Sequence, residues 1–311
     1  MKVSIIGAGN VGANCASILM QLEITREVVL LDVKEGVAEG KAIDMMQTAN
    51  MLGSYTTVVG GTNDYSLTAN SSVVVVTSGI ARKAGMTREE LLSTNASIMK
   101  TVIKSAIKYS PNAIFIIVSN PMDALTYLVL KETGLEKNRI IGLGGLLDSN
   151  RFTYYLSQAL NCSPVEVHGI VIGGHSDKAM IPLTRFATYN GIPVTTLLSK
   201  DVLDKVSLDT TTGGSILTNL LGTSAWYAPG AAIATVVKAI MRNESRVIPS
   251  CVYLDGEYGQ KDICIGVPTV IGKDGIEKIV DYHLNAAEQE LFNKSADTLR
   301  EVNTALFELL K

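Results

Sequence analysis

The chain has 311 residues, of which 47% are hydrophobic and 18% are charged, which excludes a mainly disordered protein or one built around a charged tail. Its 27 Lys and Arg residues nearly balance its 30 Asp and Glu residues, and the formal net charge of −3 argues against nucleic acid as a partner. The length fits two domains of about 150 residues each, or one large domain.

Three features of the sequence bear on its location. No apolar run approaches the roughly 20 residues that cross a bilayer, so we expect no membrane association. The N-terminus holds one Lys before a glycine-rich turn that starts at Gly7, which is not the pattern of a secretory signal. Scattered cysteines without a C-x-x-C pair predict reduced thiols in the cytoplasm, without disulfides or bound metal: Cys15, Cys162, Cys251 and Cys264.

In the first half, short apolar runs alternate with longer segments of helical patterning. The runs rich in β-branched residues cover 3–6, 28–31, 57–59, 73–76, 114–118 and 140–143. The helical segments cover 10–22, 35–52, 88–109 and 121–133. Continuous apolar runs are typical of strands buried on both faces, so this half is predicted to be an α/β domain with a doubly wound parallel sheet.

The second half has a different pattern and predicts an α+β domain. Helices are expected at 147–160, 200–206, 213–222, 229–242 and 276–310, and β-rich stretches at 168–187, 247–254 and 262–271. Clustered glycines at 142–145 place the boundary between a first domain, 1–144, and a second domain, 145–311. The acidic segment at 255–259 lacks the spacing of a calcium loop and is interpreted as a hairpin turn.

The first strand runs into a G-x-G-x-x-G motif that opens a helix. In that setting the first glycine permits a tight turn, the second lets a pyrophosphate approach the backbone, and the third lets helix pack on strand. Asp32 comes immediately after the second predicted strand, where a carboxylate can bind the ribose hydroxyls and repel a 2′-phosphate. NAD is therefore favoured over NADP, although Lys34 could soften that preference. The motif residues are Gly7, Ala8, Gly9, Asn10, Val11 and Gly12.

A purely structural glycine turn and a flavin dinucleotide are the alternatives to NAD, and the motifs that follow argue against the flavin. Removal of a hydroxyl proton near neutral pH suits an imidazole. His175 follows a predicted strand and has flanking glycines that leave room for a ligand. His168, at the start of that strand, and His283, placed in the last helix, are expected to be structural or solvated.

A histidine that accepts protons needs a carboxylate on its other ring nitrogen, and Asp148 is the candidate. Arg151 lies three residues later, so both side chains share one helix face. Asp148 could then orient the histidine while Arg151 binds a substrate carboxylate through two parallel hydrogen bonds. The alternative for this D-x-x-R pair is a surface ion pair.

Further candidates follow the fourth and fifth predicted strands, at the sheet edge where open α/β folds bind ligands. Arg82 and Arg88 flank a glycine-containing loop that could close on an anionic substrate, or could be a solvated basic loop. The amide of Asn120 can donate to a substrate oxygen. The amide of Asn95 could reach the cofactor, although an Asn on a helix is often incidental.

With these residues in this order, the sequence resembles the lactate/malate dehydrogenase family, most closely its lactate-dehydrogenase-like malate dehydrogenase branch. The similarity covers essentially the whole chain, with a Rossmann-type sheet followed by an α+β substrate-binding and catalytic domain. It rests on motifs that occur in the family's order: GAGNVG at 7–12, Asp32, RKAGMTR at 82–88, NPMDALTY at 120–127, LDSNRF at 147–152, GGHSD at 173–177 and SAWYAP at 224–229.

The resemblance implies a role for each matched position. His175 would accept the proton and Asp148 would be its partner, Arg151 would bind the C1 carboxylate, and Arg88 would polarise the reacting carbonyl. Asn120 would contact both substrate and nicotinamide. The remaining cofactor contacts would be Asn95, Val118 and Ser119.

The residue that discriminates between substrates is Arg82. Lactate dehydrogenases generally carry Gln at this position, whereas malate dehydrogenases carry Arg to pair with a second carboxylate. The resemblance therefore implies the reversible NAD-dependent oxidation of (S)-malate to oxaloacetate, a step of the tricarboxylic acid cycle. A lactate or other 2-hydroxyacid dehydrogenase is the alternative, and an NAD-binding sensor without activity is a remote one.

Small residues in the segment 36–52 would allow close helix packing, and the family uses this helix for subunit contact, so a homodimer or homotetramer is expected. A few positions depart from the family's pattern without removing a catalytic group: Ala84, Ser176, Lys178, Ala179 and Trp226.

Overall fold

The computed structural model describes residues 1–80 and 86–310, with the exception of the Arg88 side chain. The helices are α1 Asn10–Gln21, α2 Val37–Leu52, α3 Arg88–Tyr109, α4 Met122–Thr133, α5 Gly145–Leu160, α6 Lys200–Leu221, α7 Tyr227–Met241 and α8 Ala286–Leu309. The strands are β1 Lys2–Ile6, β2 Glu27–Asp32, β3 Thr57–Thr62, β4 Val73–Val76, β5 Ile114–Ile117, β6 Ile140–Gly142, β7 Val167–His168, β8 Val171–Gly173, β9 Met180–Pro182, β10 Thr188–Tyr189, β11 Ile192–Pro193, β12 Arg246–Asp255, β13 Lys261–Gly272 and β14 Gly275–Ile279.

The first six strands form a parallel sheet in the order β3-β2-β1-β4-β5-β6, which is the arrangement of a Rossmann-type fold. Successive residues of a strand point to opposite faces, and Ile5 and Ile6 of β1 accordingly join two different hydrophobic layers. One layer contains side chains of α1, α2 and α7, and the other contains side chains of α3, α4 and α8. The predicted doubly wound α/β domain is confirmed.

The second half extends the same sheet with antiparallel strands. β12 pairs with β6 through Cys251 and Gly142, and β13, β8 and β9 follow in order. The segment between β12 and β13 is a hairpin connection, as the sequence predicted for residues 255–259. A separate small sheet has the order β11-β10-β7.

Two helix predictions in the second half were wrong. The segments 200–206 and 213–222 belong to the single helix α6, which continues through Gly213 and Gly214. Residues 275–279 form β14, which pairs with β13, and α8 begins only at Ala286. His283 therefore precedes the last helix instead of lying within it, and both His283 and His168 are exposed.

Within the described ranges, no helix is both long and apolar enough to span a membrane. In the same part of the chain, no three His, Cys, Asp or Glu residues are grouped so that they could hold a metal ion.

Candidate active site

The G-x-G-x-x-G segment forms a tight turn at the carboxyl end of β1. Gly7 has a φ of +116°, and a Cβ atom there would lie 2.6 Å from Oγ1 of Thr77. A Cβ on Gly12 would lie 2.0 Å from the carbonyl oxygen of Gly7, so a side chain would push α1 away from β1. Both positions require glycine because backbone and side chains already fill the space.

The same turn leaves the N-terminus of α1 accessible. Gly9 is the N-cap of α1, it makes no side-chain capping bond, and a Cβ there would have no atom within 4 Å. Asn10 is exposed and Val11 is half-buried at the start of the helix. Uncapped amides and the positive end of the helix dipole bind phosphate groups, so this turn fits a pyrophosphate.

Asp32 lies beside this turn, at the end of β2. Its Oδ2 accepts a hydrogen bond from the Ala8 amide at 2.7 Å, and its Oδ1 accepts one from the Lys34 amide at 3.0 Å. A carboxylate has about four acceptor positions, so lone pairs remain for ribose hydroxyls. The residues present therefore fit an adenosine dinucleotide, and Asp32 also fixes the turn at Ala8.

Residues after β4 and β5 continue this edge of the sheet. The Val118 amide donates to the Val76 carbonyl at 3.0 Å, and the Ser119 hydroxyl donates to the Ser78 carbonyl at 2.5 Å. Ser119 thereby links the end of β5 to the segment after β4. Asn120, which precedes a cis peptide bond to Pro121, has an exposed side chain that a ligand can reach.

Asn95 is buried, at 2% exposure, and its amide is engaged by protein groups. Its Nδ2 donates to the carbonyls of Ile80 at 3.1 Å and Asn120 at 2.8 Å, and its Oδ1 accepts from the Ile80 amide at 2.8 Å. Both amide hydrogens are thus used. A direct contact between Asn95 and the cofactor stays a prediction. In the structure, the Asn95 side chain links the backbone at Ile80 to the backbone at Asn120.

His175, Asp148 and Arg151 form one hydrogen-bonded group. His175 follows β8, and its Nδ1 lies 2.7 Å from Oδ2 of Asp148. The other oxygen of Asp148 accepts from Arg151 at 3.2 Å, and the carboxylate is 2% exposed. The bond on Nδ1 places a proton on that nitrogen and leaves Nε2 of the neutral ring free to accept one.

The environment of His175 favours its protonated form. Burial opposes the charge, but the carboxylates of Asp148 and Asp123 and the hydrogen bond to Asp148 outweigh it, and the pKa of His175 is raised. Arg151 acts in the opposite direction because it is also positive. A ring with a raised pKa is a stronger proton acceptor, as abstraction of a hydroxyl proton requires.

Three residues that sequence reasoning did not single out shape this group. Asp123 of α4 accepts the His175 amide at 2.8 Å. Ser295 of α8 accepts the Gly174 amide at 2.9 Å and donates to the Ala179 carbonyl at 2.8 Å. The only sequence signal was the position of Asp123 inside the quoted NPMDALTY motif, since Ser295 has no local pattern.

The third of these residues is Gly213, where α6 passes the Arg151 side chain. A Cβ on Gly213 would lie 2.6 Å from Cδ of Arg151, whereas one on Gly214 would lie 3.6 Å from its nearest guanidinium nitrogen. Gly213 therefore leaves the space that Arg151 occupies. The Gly-Gly pair in the sequence was the available signal, but at the start of the predicted helix 213–222 it carried no expected role.

Two predicted substrate contacts lie at the limit of the described structure. Arg82 lies outside the described residues. Arg88 is the first residue of α3, and the helix begins with a capping box formed by Thr87 and Glu90, but the Arg88 side chain is not described. Their roles therefore stay predictions.

Comparison with known proteins identifies the family. A model for the lactate/malate dehydrogenase NAD binding domain matches residues 1–142, and one for the lactate/malate dehydrogenase alpha/beta C-terminal domain matches residues 146–309. A protein of Bacteroides thetaiotaomicron named malate dehydrogenase is 62% identical over 99% of this chain and 98% of its own length.

Solved structures agree with these matches. A malate dehydrogenase of Cryptosporidium parvum has a TM-score of 0.95 and 37% identity over 99% of both chains. A lactate dehydrogenase of the same organism, complexed with lactic acid and nicotinamide adenine dinucleotide, has a TM-score of 0.94 and 33% identity over 98% of this chain and 97% of that one. On the strength of the two family models and the 62% identical relative, this chain belongs to the lactate/malate dehydrogenase family.

Proposed function

We propose that the chain catalyses the reversible NAD-dependent oxidation of (S)-malate to oxaloacetate. The observation that carries the proposal is the bonded group of His175, Asp148 and Arg151, which combines a proton acceptor with a cation for a carboxylate. The His175 amide is bonded to Asp123, three residues after Asn120, so this group lies beside the sheet edge that carries the nucleotide turn. Relatives about 60% identical over the full chain are named malate dehydrogenase.

Each residue of the group has a defined task in this proposal. His175 takes the hydroxyl proton on Nε2 when malate is oxidised and returns it when oxaloacetate is reduced. Asp148 stabilises the imidazolium that forms and keeps the ring in one orientation. Arg151 binds the C1 carboxylate, and Asn120 and Arg88 hold the oxygen that becomes the carbonyl.

The nucleotide turn and the end of β5 are the proposed cofactor site. Residues 7–12 would hold the pyrophosphate, Asp32 the adenosine ribose, and 118–120 the nicotinamide side. NAD, when bound there, supplies the acceptor for the hydride that leaves C2 of malate. Asn95 would act with this set by holding the Asn120 carbonyl in place.

Arg82 is the proposed determinant of substrate choice. It would pair with the second carboxylate of malate, which lactate lacks. A charge left without its partner in a water-poor site costs about 2–5 kcal/mol. At about 1.4 kcal/mol per factor of ten, this corresponds to roughly 30- to 4000-fold discrimination between oxaloacetate and pyruvate.

A direct test uses the purified protein with NADH and equal concentrations of either oxaloacetate or pyruvate. Oxidation of NADH is followed by its absorbance, and oxaloacetate should be reduced at least about 30-fold more efficiently. A preference for pyruvate would instead make the chain a lactate dehydrogenase. Binding of NADH without turnover of either acid would make it a sensor.

The cellular setting and assembly are part of the same proposal. We place the reaction in the cytoplasm and in the tricarboxylic acid cycle, whose intermediates are malate and oxaloacetate. We also retain 1–144 as the NAD-binding domain and 145–311 as the substrate-binding domain. The large hydrophobic side chains that α2 exposes, Ile43, Met51 and Leu52, support a homodimer or homotetramer, which light scattering would distinguish from a monomer.

A further inference from the structure

His175 is contacted by two buried carboxylates instead of one. Asp148 of α5 bonds to the imidazole ring, and Asp123 of α4 accepts the His175 backbone amide at 2.8 Å. Asp123 is 6% exposed and Asp148 is 2% exposed. A second buried carboxylate is costly unless it has partners, because an ionised group loses its hydration.

Asp123 has few hydrogen-bond partners, although its carboxylate is buried. It lies in the first turn of α4, where the helix dipole favours a negative charge. Its Oδ1 has no partner within normal hydrogen-bond geometry among the described residues. The weakly donating thiol of Cys251 lies beside the carboxyl group. Its remaining charged neighbours are His175, of opposite sign when protonated, and Asp148.

We infer that Asp123 is a positioning residue for His175, which holds the main chain of the proton acceptor and adds a second negative charge that favours the imidazolium. This inference rests on the function proposed above. It follows from geometry, because the carboxylate bonds to His175 itself and its orphaned Oδ1 has no other cation nearby in the described structure.

The charged and titratable neighbours support an electrostatic role for Asp123. Among the described residues, the charged groups that face His175 are Asp148 and Arg151 from α5 and Asp123 from α4, and Asp123 contributes to the raised pKa of the histidine. Burial is the largest influence on Asp123 and leaves its pKa raised, while His175 acts in the opposite direction and favours the ionised carboxylate. Cys251 of β12 faces Asp123, and Cys264 of β13 faces Cys251. Burial raises the pKa of the Cys251 thiol, so this neighbour of Asp123 stays neutral.

The test is the substitution Asp123→Asn, which retains an oxygen to accept the His175 amide and removes the charge. Malate oxidation requires neutral His175, so kcat/KM rises with pH through the pKa of the histidine. Loss of the Asp123 charge should lower that pKa and shift the rise to lower pH. The KM for malate at high pH should change by less than about twofold, because Arg151 is untouched.

Ser295→Ala is the matched control. Ser295 bonds to Gly174 and Ala179 on the same loop but carries no charge. Its removal should lower kcat without moving the pH profile. If Asp123 merely held the loop, Asp123→Asn would behave in the same way, with reduced turnover and an unmoved profile.

A second readout does not depend on activity. The chain has 3 histidines, so ring-labelled His175 can be titrated by NMR and assigned by its loss in His175→Asn. The titration midpoint should be lower in Asp123→Asn than in the wild type and unchanged in Ser295→Ala. If Asp123→Asn does not fold, Asp123→Ser, which also lacks the charge and is smaller, carries the same expectation.

The outcomes separate this inference from the proposed function. A midpoint that is unchanged or raised in the uncharged variant would overturn the role of Asp123, whatever the enzyme turns over. A wild-type protein that does not oxidise malate would overturn the proposed function, while the titration would still decide the role of Asp123.

Discussion

Asp148 binds His175 and Arg151 at the same time, through its two different oxygens. Oδ2 lies 2.7 Å from Nδ1 of His175, and Oδ1 lies 3.2 Å from a guanidinium nitrogen of Arg151. One buried carboxylate therefore orients both the proposed proton acceptor and the proposed carboxylate-binding cation. In the proposed mechanism, proton transfer and substrate binding would both depend on this residue.

Asp148→Asn should damage both functions. Without the negative charge the pKa of His175 falls, so the ring remains neutral in the binary complex with NADH and donates its proton poorly to oxaloacetate. We expect kcat for oxaloacetate reduction to fall about 10²- to 10⁴-fold, with the loss of activity beginning at lower pH than in the wild type. A pH–rate profile of unchanged shape and height would contradict this role.

His175→Asn should remove the proton acceptor while leaving the nucleotide site intact. We expect turnover in both directions to fall by about 10²- to 10⁴-fold, the usual contribution of general acid–base catalysis. NADH affinity, measured by fluorescence titration, should stay close to that of the wild type. Normal turnover in this variant would refute the assignment of His175.

Gly213→Ala should displace Arg151 without weakening the fold. The added Cβ would lie 2.6 Å from Cδ of Arg151, so the side chain must move, while Ala in place of Gly stabilises a helix by up to about 1 kcal/mol. We expect the KM for oxaloacetate to rise about tenfold, which corresponds to about 1.4 kcal/mol of binding free energy, with no fall in Tm.

Gly214→Ala is the control for this substitution, because its Cβ would make only ordinary contact with Arg151, at 3.6 Å. It adds the same methyl group to the same helix and should leave the KM unchanged. Equal effects of the two substitutions would show that α6 itself, and not the space around Arg151, determines the KM.

Asp32→Ser should relax the discrimination against NADP. It removes the charge that would repel a 2′-phosphate and leaves the exposed Lys34 as a cation nearby. We expect the ratio of NADPH to NADH efficiency to rise about tenfold or more, which corresponds to about 1.4 kcal/mol. NADH efficiency should also fall, since the Ala8 amide loses its acceptor.

The double variant Asp32→Ser with Lys34→Ala tests the source of that gain. Without the Lys34 cation the NADPH gain should largely disappear. If the single variant shows no change in cofactor ratio, the Asp32 charge does not set the preference.

The first half of the fold was predictable because its signals are local. The runs at 73–76 and 114–118 are apolar on successive residues, which indicates buried parallel strands independently of what packs on them. The second half depends on pairing between distant segments. Residues 275–279 form a strand because β13 lies beside them, and their own sequence does not show it.

The site divides in the same way. His175, Asp148 and the glycine turn lie in short local motifs from which their roles could be predicted. The contacts that position the His175 loop come from Asp123, 52 residues before His175, and from Ser295, 121 residues after Gly174. No spacing rule connects positions that far apart, so only the folded chain brings them together.

The substitution Arg82→Gln tests whether a dicarboxylic acid is recognised by cations at both of its ends. The efficiencies for oxaloacetate and pyruvate should be measured side by side for the wild type and this variant. We expect the oxaloacetate-to-pyruvate ratio to fall by about 30-fold or more in the variant, because the second carboxylate loses its partner. An unchanged ratio would contradict recognition at both ends.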